Sequence, residues 1–131
     1  MCSSDLLAKM GRVDDAWQAF ELLNPINHAL TKDAADIYRV EPYVVAADVY
    51  GTDDRTGRGG WTWYTGSSGW LYRTAVEAIL GLELKDGKLT INPRIPSHWP
   101  GYSATVRIGG KMETISVKRI AGSGGFEITR T

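Results

Sequence analysis

The hydrophobic pattern of this chain changes its period at Gly81, and that change limits the folds that are open to it. Before Gly81, apolar residues recur every three to four positions, as along Val13–Leu23, which places them on one face of a helix. After Gly81, apolar and polar residues alternate, as along Leu82–Lys85, which is typical of a half-buried strand. The sequence therefore predicts an α+β chain, with a helical segment over residues 1–81 and an antiparallel β segment over residues 82–131.

Local start and stop signals predict five helices in the first segment. They are expected over residues 3–10, 13–23, 31–38, 42–50 and 67–80. Gly11 suits the end of the first helix, Thr31 suits an N-cap and Pro42 suits a first helical turn. The last helix is expected to present Trp70, Leu71, Thr74, Ile79 and neighbouring residues to a core.

The second segment carries the signals of an antiparallel sheet. Asp86-Gly87 separates two short alternating runs and predicts a tight hairpin. Further strands are predicted over residues 102–108, 111–119 and 126–131, joined by glycine-rich turns. Ile115 and Val117 alternate with polar neighbours, so one face of this sheet is expected to be buried.

Composition excludes several classes of function. Fifteen Lys and Arg residues balance fifteen Asp and Glu residues, which argues against a nucleic-acid partner. No apolar run approaches the roughly 20 residues of a membrane-spanning helix. Cys2 is the one cysteine and cannot form an internal disulfide, and no Cys and His cluster has metal-ligand spacing. A metal centre and a disulfide scaffold are therefore not expected.

Residues 57–70 combine glycines, aromatic residues and small hydroxyl residues just before a predicted helix. A helix that starts near Thr65-Gly66 directs free N–H groups and a positive dipole end outward, which favours an anion. The rings of Trp61 and Trp63 offer flat apolar faces with a polar edge, which suit a sugar ring. This segment predicts a site for a sugar and an anion.

Four blocks of the sequence carry a resemblance to a known family. They are Asn-Pro-Ile-Asn-His at 24–28, the residues 38–50 with their Glu-Pro-Tyr-Val-Val core, the residues 57–70, and Asn-Pro-Arg-Ile-Pro-Ser-His-Trp at 92–99. Together they resemble the C-terminal end of glycoside hydrolase family ninety-four, which contains inverting β-glucoside phosphorylases and cyclic β-1,2-glucan synthases. The resemblance implies that the helices close an (α/α)6 barrel and that a small antiparallel β domain follows.

The resemblance also implies phosphorolysis, in which inorganic phosphate attacks the anomeric carbon while an acid protonates the leaving oxygen. A single displacement inverts the configuration, so one carboxylic acid is enough. The family's acid is an upstream aspartate, and Asp48, Asp53 and Asp54 lie in the wrong motif context for it. We therefore expect no catalytic acid in this chain and no cofactor, with phosphate as the co-substrate.

The same resemblance implies roles for individual residues. The expected phosphate contacts are His28, Thr65 and Gly66, with Arg58 as a second partner, and the expected sugar contacts are Glu41, Tyr43, Trp61 and Trp63. Several of them have a simpler interpretation from the residues alone: Thr65 as a helix cap, His28 as a capping or surface histidine, Glu41 as a charge at the positive end of the helix predicted after it, and Tyr43 as a core residue.

Two other functions stay open at this stage. The chain suits a non-catalytic glucan-binding module. Residues 11–20 also resemble half of a tetratricopeptide-type hairpin, which would make the chain a protein-interaction module, but the sequence shows no second copy at the period of about 34 residues that stacked repeats need. The expected partners are a β-linked gluco-oligosaccharide and phosphate, together with self-association or an upstream portion of the barrel. The sequence does not decide the compartment: the chain is expected either in the cytoplasm or at the inner membrane, with which it would associate through a larger parent protein.

Overall fold

The computed structural model describes residues 3–131, so the prediction about Cys2 lies outside the described residues. The first segment contains four α-helices and one 3-10 turn. They are α1 (Ser3–Lys9), α2 (Val13–Leu23), the 3-10 turn (Pro25–His28), α3 (Lys32–Tyr38) and α4 (Thr65–Arg73). The first three predicted helices are confirmed. Gly11 leaves α1 with a left-handed φ of 80°, and the Thr31 hydroxyl accepts the Ala34 N–H at 3.2 Å as a cap.

The helix predicted over residues 42–50 is wrong. Residues 47–50 pair with residues 58–61 in a short antiparallel ribbon around a bridge between Val49 and Gly59. Three backbone hydrogen bonds of 2.7–2.9 Å hold it, from the N–H of Ala47 to Trp61, of Gly60 to Asp48 and of Tyr50 to Arg58. Pro42 is compatible with a helix start, but this pairing across the chain takes the backbone groups that a helix would need.

The last helix begins at Thr65, two residues before its predicted start, and its second half is a π-helical turn (Thr74–Ile79). In that turn the Leu80 N–H bonds to the Ala75 carbonyl at 2.9 Å, five residues back. Thr74 and Ile79 are buried as predicted. The prediction that Trp70 faces a core is wrong, because Trp70 is 44% exposed beside the Arg73 guanidinium.

Small residues form the centre of the helical packing. Ala8 of α1, Ala16 of α2 and Ala78 of the π-helical turn are buried against one another, with Leu7 packed on them. Alanine side chains let helix backbones approach closely, which draws the α1–α2 hairpin onto the end of the last helix.

The second segment contains two antiparallel sheets. The strands are β1 (Leu82–Lys85), β2 (Lys88–Ile91), β3 (Gly101–Ile108), β4 (Lys111–Arg119) and β5 (Phe126–Arg130). The β1–β2 hairpin turns at Asp86 and Gly87, whose φ angles of 50° and 74° fit the tight turn predicted from Asp-Gly. The other three strands form one sheet in the order β3-β4-β5.

The buried face of the sheets meets the end of the helical segment. Ile115 and Val117 of β4 pack with Leu82 of β1, which confirms the alternation predicted for β4. The Tyr102 phenol donates a hydrogen bond to the Leu80 carbonyl at 2.5 Å. One core therefore joins the last helix to both sheets.

A second set of contacts joins α2 to the proline-rich connection between β2 and β3. The Ser97 N–H donates to the Asp14 carboxylate at 2.6 Å, and the Trp17 and Trp99 rings meet edge to face with centroids 4.9 Å apart. Arg119 donates from its guanidinium to the carbonyls of that connection at 2.9–3.2 Å. The helical and β segments are thus held together at two places.

Candidate functional site

The loop before α4 brings several predicted site residues to one surface. An aromatic depression of about 260 Å³ lies there, and we define it by its lining residues. They are Tyr43, Val44, Trp63, Thr65 and Ser68. Three of these residues, Tyr43, Trp63 and Thr65, belong to the site predicted from the sequence.

The start of α4 forms the polar side of this depression. Tyr64 occupies the N-cap position without a side-chain cap, and the backbone bond from Ser68 N–H to Tyr64 carbonyl, at 3.2 Å, is the first of the helix. The N–H groups of Thr65, Gly66 and Ser67 precede that bond and have no intrahelical acceptor. The interpretation of Thr65 as a mere helix cap is therefore wrong, because Tyr64 holds that position.

Gly66 lies beside open space, since a Cβ added there would meet no atom within 4 Å. It lines a second hollow of about 400 Å³ next to the aromatic depression. That hollow is lined by Leu23, Val45, Ala46, Ala47, Tyr64, Gly66, Ser67, Trp70 and Leu71. The start of α4 thus separates the two concavities, with Thr65 facing one and Gly66 the other.

Trp63 forms an exposed aromatic wall of the depression. Its side chain is 68% exposed, and its indole N–H donates to a Glu41 carboxylate oxygen at 3.2 Å. Its φ of 61° lies in the left-handed region. Glu41 and Trp63, both expected as sugar contacts, are therefore bonded to each other.

Trp61 and Tyr43 are also exposed, and each lies two residues from a member of the Trp63–Glu41 pair in the sequence. Trp61 is 72% exposed and packs its ring edge to face against Tyr64, with centroids 6.5 Å apart. The core interpretation of Tyr43 is wrong, because its side chain is exposed. Aromatic residues left exposed in a group are typical of an interaction surface rather than of a core.

His28 and Arg58 are not joined to this surface by any polar contact. The His28 Nε2 lies 2.7 Å from the Leu22 carbonyl and so carries the hydrogen, and its ring stacks on Tyr38 with centroids 4.8 Å apart. Across residues 3–131, no hydrogen bond, ion pair or ring contact links His28 or Arg58 to Thr65 or Gly66. Their assignment as phosphate contacts stays a prediction.

The glycines of the loop have a structural role that the sequence did not reveal. Gly59 lies against Tyr38 and Val40, and Gly60 lies against the Asp48 carboxylate, so that a Cβ on either residue would overlap its neighbours. The Gly59 N–H also donates to the Tyr38 carbonyl at 2.9 Å. These two glycines let the loop pack against the protein rather than against a ligand.

Other residues at the depression were not predicted either. Ser68 lies three residues after Thr65 on the same face of α4, a spacing that is visible in the sequence. Val44 is buried behind the rings, and no pattern in the sequence distinguished it from its neighbours. Within the described part of the chain, no group of three or more His, Cys, Asp or Glu residues is arranged to hold a metal ion, and no helix is long and apolar enough to cross a membrane.

Comparison with known families identifies the class of protein that this arrangement belongs to. The model of the glycosyl hydrolase 94 superfamily catalytic domain matches residues 6–81, and the model of the glycosyl hydrolase family 65 C-terminal domain matches residues 82–119. Both describe parts of carbohydrate-active enzymes. Because the first match covers more than half of the 131 residues, the chain belongs to the glycosyl hydrolase 94 superfamily.

Individual relatives agree with this assignment. The chain is 57% identical over 117 residues to the cyclic beta-(1,2)-glucan synthase NdvB of Rhizobium meliloti (strain 1021), covering 89% of this chain and 4% of that protein. It is 36% identical over 112 residues to the N,N'-diacetylchitobiose phosphorylase of Vibrio furnissii, covering 85% of this chain and 14% of that protein. It is 28% identical to the solabiose phosphorylase of Paenibacillus borealis, covering 16% of that protein. The chain thus spans a small part of the length of each of these relatives.

Proposed function

We propose that this chain is the C-terminal part of an inverting β-glucan phosphorylase-like or cyclic β-1,2-glucan synthase-type enzyme, and that it supplies phosphate and sugar contacts. Its helices would close an (α/α)6 barrel formed with residues of a larger parent. The observation that carries the proposal is the start of α4, which has no side-chain cap and lies between the aromatic depression of Trp63 and Tyr43 and the hollow that Gly66 lines. The names of the relatives, a glucan synthase and two phosphorylases, support the same class of substrate.

Phosphate would sit at the start of α4. The N–H groups of Thr65, Gly66 and Ser67 and the Thr65 hydroxyl are hydrogen-bond donors, and the positive end of the helix dipole favours an anion. His28 and Arg58 would add charge-assisted contacts in the assembled parent. This part of the site would bind and orient the phosphate oxygen that attacks the anomeric carbon.

The sugar would occupy the aromatic depression. A pyranose ring stacks its C–H face on an indole or phenol and leaves its hydroxyls for polar groups. Trp63 and Tyr43 would supply the rings, the Ser68 and Thr65 hydroxyls would supply polar contacts, and Trp61 would extend the surface. Attack by phosphate breaks the glycosidic bond, and the leaving oxygen takes its proton from an acid that the parent would supply.

Two glycines of α4 offer a matched test of the phosphate contact. Gly66 and Gly69 both lie beside open space, so alanine fits at either position. A helical Cβ tilts toward the N-terminus, so the methyl of Gly66→Ala would point at the phosphate, whereas that of Gly69→Ala would not. We expect Gly66→Ala to weaken phosphate binding measured by calorimetry at least fivefold, and Gly69→Ala to leave it unchanged.

Thermal unfolding is the control for these variants, because alanine raises helix stability by roughly 0.5–1 kcal/mol over glycine at interior positions. Equal phosphate affinity in both variants would contradict the α4 site. Phosphate binding that is unchanged in the double variant Thr65→Val, Gly66→Ala would show that phosphate binds at another place on the chain.

A second candidate is a glucan-binding module without turnover, which the exposed aromatic surface favours. Titration of the chain with β-1,2-linked gluco-oligosaccharides, with and without phosphate, separates the two. Sugar binding that depends on phosphate supports the phosphorylase-type site, whereas sugar binding that phosphate does not change supports the module. Release of glucose 1-phosphate is not expected of the chain alone, because the parent would supply the acid. If neither the gluco-oligosaccharide nor phosphate binds, both candidate functions are contradicted and a helical protein-interaction module is favoured.

A further inference from the structure

Trp63 has a backbone conformation that local structure does not explain. Three non-glycine residues among those the structure describes have a positive φ, namely Arg39, Trp63 and Asp86. Arg39 ends α3 and Asp86 belongs to the β1–β2 turn, which are common places for this conformation. Trp63 lies in the loop two residues before α4, where a bulky residue at φ 61° costs about 1–3 kcal/mol. A contact made by this residue has to offset that cost.

The contact that the structure provides is the bond from the Trp63 indole N–H to Glu41, at 3.2 Å. The two residues are 22 positions apart, so the bond joins the loop before α4 to the segment after α3. Glu41 precedes Pro42, and a proline disfavours helical backbone at the residue before it, so the backbone that carries the acceptor is restricted.

We propose that Glu41 is a positioning residue, which holds the Trp63 ring as the wall of the aromatic depression and affects sugar binding through that ring. This inference rests on the proposed function and assigns Glu41 a different role from the direct sugar contact expected from the sequence. One carboxylate oxygen of Glu41 is taken by the indole, and the ring it holds stands beside Thr65 at the start of α4. Without the carboxylate, the exposed ring is free to take other rotamers, and the wall is lost for part of the time.

The first test uses the free chain and needs no ligand. In a spectrum of ¹⁵N-labelled protein, the Trp63 indole N–H is assigned by its loss in Trp63→Phe. We expect Glu41→Ala to shift this signal and to speed its hydrogen exchange at least threefold, while Glu41→Gln, which keeps an acceptor oxygen, restores most of the protection. Glu127→Ala, an exposed glutamate on β5, is the matched control and should leave the signal in place.

The second test is a double-mutant cycle on binding of a β-1,2-linked glucotriose. Ordering one aromatic side chain costs about 0.5–1.5 kcal/mol, so Glu41→Ala should weaken binding about 2- to 12-fold. In the Trp63→Phe background, which keeps a ring but removes the N–H, we expect Glu41→Ala to have no further effect.

The outcomes separate this inference from the proposed function. An additive effect of the two substitutions would show that Glu41 contacts the sugar itself and would overturn the positioning role. An indole signal that Glu41→Ala leaves unchanged would also overturn it. A wild-type chain that binds no glucan but passes the indole test would count against the proposed function alone.

Discussion

Gly81 and Gly87 have nearly the same backbone conformation but different surroundings. Their φ angles are 73° and 74°. A Cβ on Gly81 would overlap the Asn92 carbonyl, whereas a Cβ on Gly87 would meet nothing within 4 Å. The close approach at Gly81 allows the Asn92 N–H to donate to the Gly81 carbonyl at 2.8 Å, where the helical segment turns into β1.

We therefore predict that Gly81→Ala destabilises the chain much more than Gly87→Ala. The left-handed conformation costs an alanine about 1–2 kcal/mol at either site, and overpacking adds about 1–3 kcal/mol at Gly81 alone. Urea unfolding should show a loss of about 2–5 kcal/mol for Gly81→Ala and about 1–2 kcal/mol for Gly87→Ala. Equal losses would contradict the steric role of the Asn92 carbonyl.

The Asp14 carboxyl makes the free energy of unfolding depend on pH in the acid range. The hydrogen bond from the Ser97 N–H lowers the pKa of the Asp14 carboxyl below its usual 3.8, and nearby His98 and Arg119 add to the effect. A depressed pKa in the folded state stabilises the fold above the unfolded pKa, and this contribution is lost as pH falls through the folded value. We expect Asp14→Ala to unfold at lower urea than wild type at pH 7.

The difference in the free energy of unfolding between wild type and Asp14→Ala should become smaller as pH falls below about 4, where the wild-type carboxyl becomes protonated. Asp53→Asn serves as the control, because the Asp53 carboxylate lies in an exposed loop and makes no hydrogen bond within residues 3–131. A stability difference between wild type and Asp14→Ala that is constant from pH 7 to pH 2 would contradict the stabilising role of the Asp14 charge.

At the scale of elements, the sequence predicted the units whose signals are local. The α2 helix and the β1–β2 hairpin have the predicted bounds, because one apolar face and an Asp-Gly turn are encoded within a few residues. The helix over residues 42–50 failed for the opposite reason, since those residues pair with a segment about ten positions away. The division of the β segment into two sheets also depends on distant contacts.

The candidate site shows the same limit. Trp63 and Thr65 are neighbours in sequence, so their meeting at the start of α4 was predictable from the loop that contains them. The bond between Trp63 and Glu41 was not, because it depends on how two loops pack. The stacking of His28 on Tyr38 likewise follows from the placement of α3 rather than from any local motif.

The junction of the π-helical turn with β3 is an element-scale feature that can be tested at alkaline pH. Burial raises the pKa of Tyr102 to about 12, and its phenol donates to the Leu80 carbonyl. A raised pKa in the folded state gives stability that is complete below the unfolded value near 10 and is lost as pH rises toward 12.

Tyr102→Phe should therefore cost about 1–2 kcal/mol at pH 7, because the Leu80 carbonyl loses its donor. It should also lose less stability than wild type between pH 10 and pH 12. Burial also raises the pKa of Tyr38, so Tyr38→Phe is the comparison that separates the two phenols. If Tyr102→Phe loses as much stability as wild type between pH 10 and pH 12, the alkaline loss of stability does not come from Tyr102.

At the scale of the whole molecule, apolar residues are distributed unevenly over the surface. Exposed large apolar side chains recur along residues 22–43 and through the loop before α4. They include Leu22, Ile26, Leu30, Ile37, Tyr43, Trp61 and Trp63. Monomeric proteins rarely leave apolar patches of more than a few hundred Å² in contact with water. Such a surface fits helices that meet further helices in a larger assembly.

We predict that the isolated chain self-associates through this helical surface. Sedimentation velocity should show a weight-average mass that rises with concentration, and Leu22→Lys together with Leu30→Lys should reduce it by placing like charges on the contact. Leu84→Lys together with Met112→Lys, at exposed apolar residues of the β segment, is the matched control and should leave association unchanged. A wild-type chain that stays monomeric at every concentration would mean that this surface needs no partner, and would count against the proposal that these helices close a barrel.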